Sequence, residues 1–151
     1  MPQTLEYAPG VPDHDELHDD LGWLFARLTR RMVDVERPAL ERHGLSLWGY
    51  VVLSGVTARP GRPQIAVAQG VGLDRTTMVA VLDELEAAGL VVRTPDPADR
   101  RARLIAATPK GERTLTAVRA DIRTLEDELL ARLSPSARNA LRPSLRALLK
   151  D

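Results

Sequence analysis

The sequence predicts a mainly α-helical fold with one small β-hairpin, and three observations predict it. Leucine-rich segments near each end place apolar residues at steps of three and four, the helical period. In the middle, two shorter helical patterns meet at Gly72 with almost no loop between them. Directly after that pair, two short strand-like runs enclose a polar turn, which is a hairpin pattern.

Residues 1–13 hold Pro2, Pro9, Gly10 and Pro12 and read as an irregular arm. A first helix is expected from about residue 14, capped by Asp13 or Asp15, with Leu17, Leu21, Leu24, Leu28, Met32 and Val35 along one face. Pro38 should kink or end it, because proline lacks an amide donor and crowds the preceding turn. Gly44 is the expected stop, and Ser46 then caps a second helix over 47–57. ARPGRP at 58–63 reads as a loop, followed by a short third helix over 64–70. Asp74 caps a fourth, 75–88, stopped at Gly89. The strand-like runs are LVVRTP (90–95) and ARLIAAT (102–108). Pro109 opens a long helix to about 133, in which Leu115, Val118, Ile122, Leu125 and Leu129 step 3-4-3-4, a heptad seam. Ser134-Pro135 starts a last helix to about 149 with Leu141, Leu145, Leu148 and Leu149, its first half weakened by Pro143.

Composition narrows the function class. The chain has 151 residues, 44% of them hydrophobic and 28% charged, the profile of one globular domain. No apolar run approaches the roughly 18 residues that span a bilayer. The first residues lack the basic-then-apolar order of a secretory signal, so a cytoplasmic location is expected. There is no cysteine, which excludes disulfides, thiol nucleophiles and thiol redox sensing. Basic and acidic residues number 21 each, but residues 1–20 hold six acids and no base, so the rest of the chain carries a net +6. A local basic patch sets the field at a contact whatever the total.

The segment QIAVAQGVGLDRTTMVAVLDEL (64–85) carries the functional argument. Ala68 is small where the two helices would cross, and Gly72 takes the turn. Val67, Val71, Leu73, Met78 and Val81 point inward. That spacing is a helix-turn-helix, with an ordinary αα-corner as the plain alternative. In a helix-turn-helix the second helix enters the major groove. Its outward set here is Arg75, Thr76, Val79 and Ala80, with Thr77 at the margin. Arg75 suits guanine or phosphate, and Val79 or Ala80 suits a thymine methyl. First-turn capping is the alternative role for the two threonines. Asp83 and Glu84 would repel phosphates, so only the helix start is expected close to DNA.

Arg93, Arg100, Arg101 and Arg103 cluster around the hairpin tip. After a helix-turn-helix such a hairpin is a wing, and an arginine at its tip suits a narrow minor groove. Asp99 is expected to order the tip rather than to face DNA. Without the helix pair before it, the arginine cluster would be a solvated turn.

The run from Gly72 to Gly111 resembles the multiple antibiotic resistance regulator (MarR) family of bacterial winged-helix repressors. The matching pieces are Leu82-Asp83-Glu84-Leu85-Glu86, Gly89-Leu90-Val91, Pro97-Ala98-Asp99-Arg100-Arg101 and Thr108-Pro109-Lys110-Gly111, with Gly44-Leu45-Ser46 at the start of the second helix. The family's Asp-x-Arg of the wing falls on Asp99 and Arg101. The resemblance implies a roughly triangular homodimer whose first and last two helices intertwine and whose winged regions bind a pseudo-palindrome in double-stranded DNA. It thus divides the chain into an arm (1–13), a helical dimerisation region (14–45 and 109–151) and a winged helix-turn-helix region (46–108). The dimer seam is expected at Leu17, Leu21, Leu24, Leu115, Val118, Ile122, Leu125, Leu129, Leu141, Leu145 and Leu148. Val79-Ala80 departs from the Thr/Ser-then-Arg of many relatives, which shifts base reading toward Arg75, the threonines, the wing and DNA shape.

Family members respond to small phenolic or other apolar anions, and Trp23, His43, Trp48 and Tyr50 are the candidates to line such a cleft, with ordinary core positions as the plainer reading. His14 and His18 have the i, i+4 spacing of a metal pair, but only one further histidine exists, so a solvated acidic helix start is favoured and no metal or cofactor is expected. No Ser/His/Asp scaffold, phosphate loop or carboxylate pair points to an enzyme. The expectation is a ligand-responsive repressor that reads its operator with Arg75, Thr76, Thr77, Val79, Ala80, Arg100, Arg101 and Arg103. The alternatives are an activator, an architectural protein, or a ligand- or helix-binding module that uses the fold without DNA.

Overall fold

The computed structural model describes residues 20–150. The predicted arm, Leu17 and the His14/His18 pair lie outside the described residues. The first helix, α1, spans Leu21–Arg42 and is capped by Asp20, whose carboxylate accepts the Trp23 amide at 2.9 Å. Asp13 and Asp15, the expected caps, lie outside the described residues. The helix does not end at Pro38 but continues to Arg42. Proline forfeits one backbone bond there, but Ala39 and Leu40 just beyond it are buried, and that packing holds the last turn in place. Gly44 turns the chain at a φ of +66°, and Leu45 returns its amide to the Leu40 carbonyl at 3.0 Å.

Helix α2 (Leu47–Ala58) begins at Ser46, whose hydroxyl accepts the Gly49 amide at 3.0 Å. Its Val52, Leu53 and Val56 sit at the centre of the core. Helices α3 (Gln64–Val71) and α4 (Arg75–Ala87) follow, bent 108° from one another. That angle belongs to a helix-turn-helix. Gly72 makes the turn possible: its φ is +74°, a conformation that costs other residues about 1 kcal/mol or more, and it lets the Leu73 amide reach the Ala68 carbonyl at 3.0 Å.

Strands β2 (Val91–Pro95) and β3 (Arg103–Ala107) form the expected hairpin, with Arg93 opposite Ile105 and Pro95 opposite Arg103. A third strand was not expected. Arg62–Pro63, here β1, pairs antiparallel with the far edge of β3, giving the order β1-β3-β2. Two residues are too few to show a period of two, and Pro63 fits an edge because it has no amide to offer a further strand.

Helix α5 (Pro109–Leu130) is capped by Thr108, and α6 (Pro135–Leu148) by Ser134. One core joins the helix-turn-helix, the sheet, the end of α1 and the first half of α5. Leu115, Val118 and Ile122 belong to that core at 1, 0 and 5% exposure. This corrects the assignment of these three to a dimer seam: they are already covered by their own protomer, whereas Leu129 of the same stripe stays partly exposed. The period in the sequence fixes which face is buried and is silent about which chain buries it. Leu125 also packs on the core from its edge. By contrast α6 has no buried residue; an Arg142–Glu126 ion pair of 2.6 Å ties it to α5. Among the described residues no single helix is long and apolar enough to cross a membrane.

Candidate nucleic-acid interface

Helix α4 owes its orientation to two opposite constraints. Met78, Val81, Leu82 and Leu85 are buried, which leaves Arg75, Thr76, Val79 and Ala80 outward, the predicted set. Asp74 organises the exposed end. Its carboxylate accepts the amides of Thr76 at 2.9 Å and Thr77 at 3.0 Å, and the Thr77 hydroxyl at 2.6 Å. The Thr77 hydroxyl and the two amides hold the Asp74 carboxyl below the usual aspartate range. Thr77 was expected among the base readers. Its hydroxyl proton is already spent on the cap, so the structure gives it a supporting place, while Thr76 and Arg75 remain open.

The wing tip is built from two aspartates. Asp96 accepts the Ala98 amide at 2.8 Å, and Asp99 accepts the Arg101 amide at 2.9 Å. The Ala102 amide returns to the Asp99 carbonyl at 2.9 Å. These turns leave Arg100, Arg101 and Arg103 exposed. Among the described residues, these three and Arg75 have no carboxylate partner. The Asp99 carboxylate is engaged with backbone in this turn, and the residue is itself exposed.

Arg93 differs from the other wing arginines. Its guanidinium bonds to Glu86 at 2.9 Å through Nε and to Asp83 at 2.6 Å, and its backbone amide also reaches Glu86. It is a tie between wing and recognition helix, not a free cation at the tip. The hydrogen bonds from Arg93 hold the Glu86 carboxyl below its usual range, and the two carboxylates push the Arg93 guanidinium up. The tie also offsets the negative charge of Asp83, expected from sequence to repel phosphate.

Between α3, α4 and the wing lies a cleft of about 550 Å³, lined among others by Ile65, Arg75, Val79, Asp99, Arg101 and Arg103. Ile65 escaped the sequence reading, which placed it on a helix without asking what faced outward; it is 69% exposed. Also missed was the clasp at the Thr-Pro-Lys-Gly run. Thr108 donates to the Gly89 carbonyl at 2.7 Å, and Lys110 donates to the Ala88 carbonyl at 2.7 Å. Together they fasten the end of α4 to the start of α5.

The four candidates for an effector cleft differ in their surroundings. The Arg27 guanidinium lies 4.9 Å from the centre of the Trp23 ring. His43 shares Asp121 with Arg42, each at 2.9 Å, and hydrogen bonding from His43 holds the Asp121 carboxyl below its usual range. Tyr50 packs against the core, and Trp48 is exposed. A second, shallower cleft of about 330 Å³ between α1 and α5 is lined by Arg31, Val35, Pro38, Leu125, Leu129 and neighbours, and neither cleft contains the four.

Residues 43–102 match the model of the MarR family. A MarR-family transcriptional regulator from Rhodococcus sp. RHA1 is 34% identical, superposes with a TM-score of 0.78, and covers 89% of this chain and 96% of its own. The chain belongs to the MarR family. This MarR-family chain is also similar to the transcriptional repressor CouR, whose complex with a 23-mer DNA duplex superposes with a TM-score of 0.81 at 32% identity, over 93% of this chain and all of the other. CouR from Rhodococcus jostii RHA1 bound to p-coumaroyl-CoA gives a TM-score of 0.73 at 34% identity, over 89% of this chain and 95% of the other. Among curated sequences, a putative transcriptional regulatory protein for the hcr operon of Thauera aromatica is 33% identical over 102 residues. That match covers 68% of this chain and 61% of the relative's length.

Proposed function

We propose that this MarR-family chain is a cytoplasmic, homodimeric, ligand-responsive repressor that binds a pseudo-palindromic operator in double-stranded DNA. The observation that carries the reading is the pairing of two cation-bearing elements on one face. The capped start of α4 offers Arg75 and Thr76, and the aspartate-built wing tip offers Arg100 and Arg101. Helix α4 enters the major groove, where Arg75 bonds to guanine or phosphate and Thr76 to a base edge or phosphate. The wing follows the adjacent minor groove or its phosphates with Arg100 and Arg101, and Arg103 adds a phosphate contact nearer the sheet. Thr77 and Asp99 hold these groups in place. Residues 46–108 act as the reading head, and the flanking helices carry the dimer.

Repression and ligand response rest on the likeness to CouR. The proposed effector is a small apolar or phenolic anion near Trp23, His43, Trp48 and Tyr50, supported by the position of His43 and Asp121 where α1, α2 and α5 adjoin. Such a ligand acts by favouring one separation of the two reading heads over another.

The test is binding of the purified chain to the DNA upstream of its own gene, against scrambled DNA of equal length, across several salt concentrations. Selective binding with a steep log–log salt slope is expected. Arg101→Ala should weaken it by about tenfold or more with the dimer intact. A slope near zero would remove phosphate neutralisation and the reading with it.

A further inference from the structure

We infer that Ile65 and Val79 form an apolar ledge that reads thymine methyl groups, so that each operator half-site carries thymine where the ledge meets it. The inference rests on the DNA-binding reading above and names what part of that surface recognises.

Both residues line the cleft between α3, α4 and the wing, and both are exposed, Ile65 at 69% and Val79 at 37%. They come from different helices. Val79 lies one turn into α4 with Ala80 beside it, and Ile65 is on α3, where Val67 is buried away from it and the small Ala68, one turn on, lines the same cleft. A single exposed aliphatic residue is ordinary on a protein surface. Two of them from separate helices, set in one cleft where Arg75, Arg101 and Arg103 outnumber the single acid Asp99, are a patch whose surroundings attract a polyanion.

The occupant follows from chemistry. The ledge has no donor or acceptor, so it cannot read the hydrogen-bonding pattern of a base pair. The C5-methyl of thymine is the one apolar group that the major-groove edge of a base pair presents. Covering it against Ile65 and Val79 removes apolar surface from water on both partners. Cytosine at that place leaves the ledge facing a gap, and a purine edge puts polar atoms against it.

The experiment selects a tightly bound duplex from a random library with the full-length chain. Each thymine of that duplex is then replaced in turn by deoxyuridine, which removes the methyl and leaves pairing unchanged. At one or two positions in each half-site, binding should weaken about fourfold, the effect of one buried carbon. Val79→Ala and Ile65→Ala, at exposed sites that leave the core alone, should bind the parent duplex more weakly and lose the deoxyuridine effect at those positions. If every deoxyuridine duplex binds as tightly as its parent, the ledge does not read methyl groups, while selective binding of the parent keeps the DNA reading standing. If no duplex is selected at all, the DNA reading fails and this inference fails with it.

Discussion

Arg93 on β2 donates from Nε to the Glu86 carboxylate on α4 at 2.9 Å. The same guanidinium also bonds to Asp83 at 2.6 Å. Wing and α4 are thereby tied to each other, although each meets a different groove in the proposed complex. Its side chain is only 22% exposed, so the carboxylates hold most of its donors away from DNA.

Removing this tie should damage DNA binding without touching a DNA contact. Arg93→Ala frees the wing from α4 and uncovers two carboxylates beside the phosphate path. The expected result is operator affinity lower by about tenfold, with the salt slope nearly unchanged because no phosphate contact is lost. Arg93→Lys keeps the charge but not the fork that bridges both carboxylates, so it should recover only part. A fall in salt slope by about one contact would place Arg93 on phosphate instead.

Acid should weaken the fold, and the sign follows from the shifts. Asp74, Glu86 and Asp121 all have carboxyls held below their ordinary range. A lowered folded pKa gives stability that is present above the unfolded value and lost as pH falls through the folded one. The loss therefore begins below about pH 4 to 4.5, the ordinary carboxylate range. Glu36 runs the other way: burial first, and Glu126 second, raise its pKa. Its cost is present above the folded value and vanishes below the unfolded one. Glu36→Gln should accordingly raise the melting temperature at pH 7 and leave it unchanged near pH 3.5, while Glu86→Gln should flatten the acid limb. Equal effects of Glu36→Gln at both pH values would show that its charge is not strained.

Gly111 is the most tightly enclosed glycine among the described residues. A Cβ there would run into the carbonyl oxygen of Leu90, with Leu53 Cδ1 at 3.3 Å. That carbonyl is not free to retreat, because it accepts the Thr108 amide at 3.0 Å. Gly111→Ala should cost about 2–3 kcal/mol in chemical denaturation, as overpacking against backbone does. A loss below about 0.5 kcal/mol would mean that α5 can slide away from the hairpin.

The parts of this molecule that were legible in the sequence are those with local causes. Caps at Ser46 and Asp74, the helix start at Ser134-Pro135 and the turn at Gly72 follow from side-chain and backbone preferences within a few residues, and the structure has all four. The outward face of α4 was legible for the same reason, since its inward face has a clear period. Three features were not. Pro38 reads as a kink or an end, and the helix does not end there, because local propensity cannot see Ala39 and Leu40 packing behind it. Strand β1 depends on a partner more than forty residues away, Arg62 opposite Ile105. Arg93 looks like its neighbours until the fold brings Glu86 and Asp83 to it.

The face left over defines the last prediction. Leu21, Leu24, Phe25 and Leu28 are exposed at 69, 41, 42 and 40% and fall on one side of α1. Leu148 and Leu149 at the end of α6 are exposed at 73 and 84%, and Leu133 before it at 38%. Apolar surface gathered this way marks an interface, and homodimers bury such faces against a second copy. In the proposed homodimer Leu115, Val118 and Ile122 are occupied within the protomer, which leaves α1 and α6 to carry the seam. Phe25→Glu with Leu28→Glu places two charges in it without entering the core. Light scattering should then report half the parent mass, while circular dichroism keeps the helical signal. Operator affinity should fall by about a hundredfold or more, because two linked half-sites become two independent ones. A double variant that keeps the parent's dimeric mass would move the seam off α1.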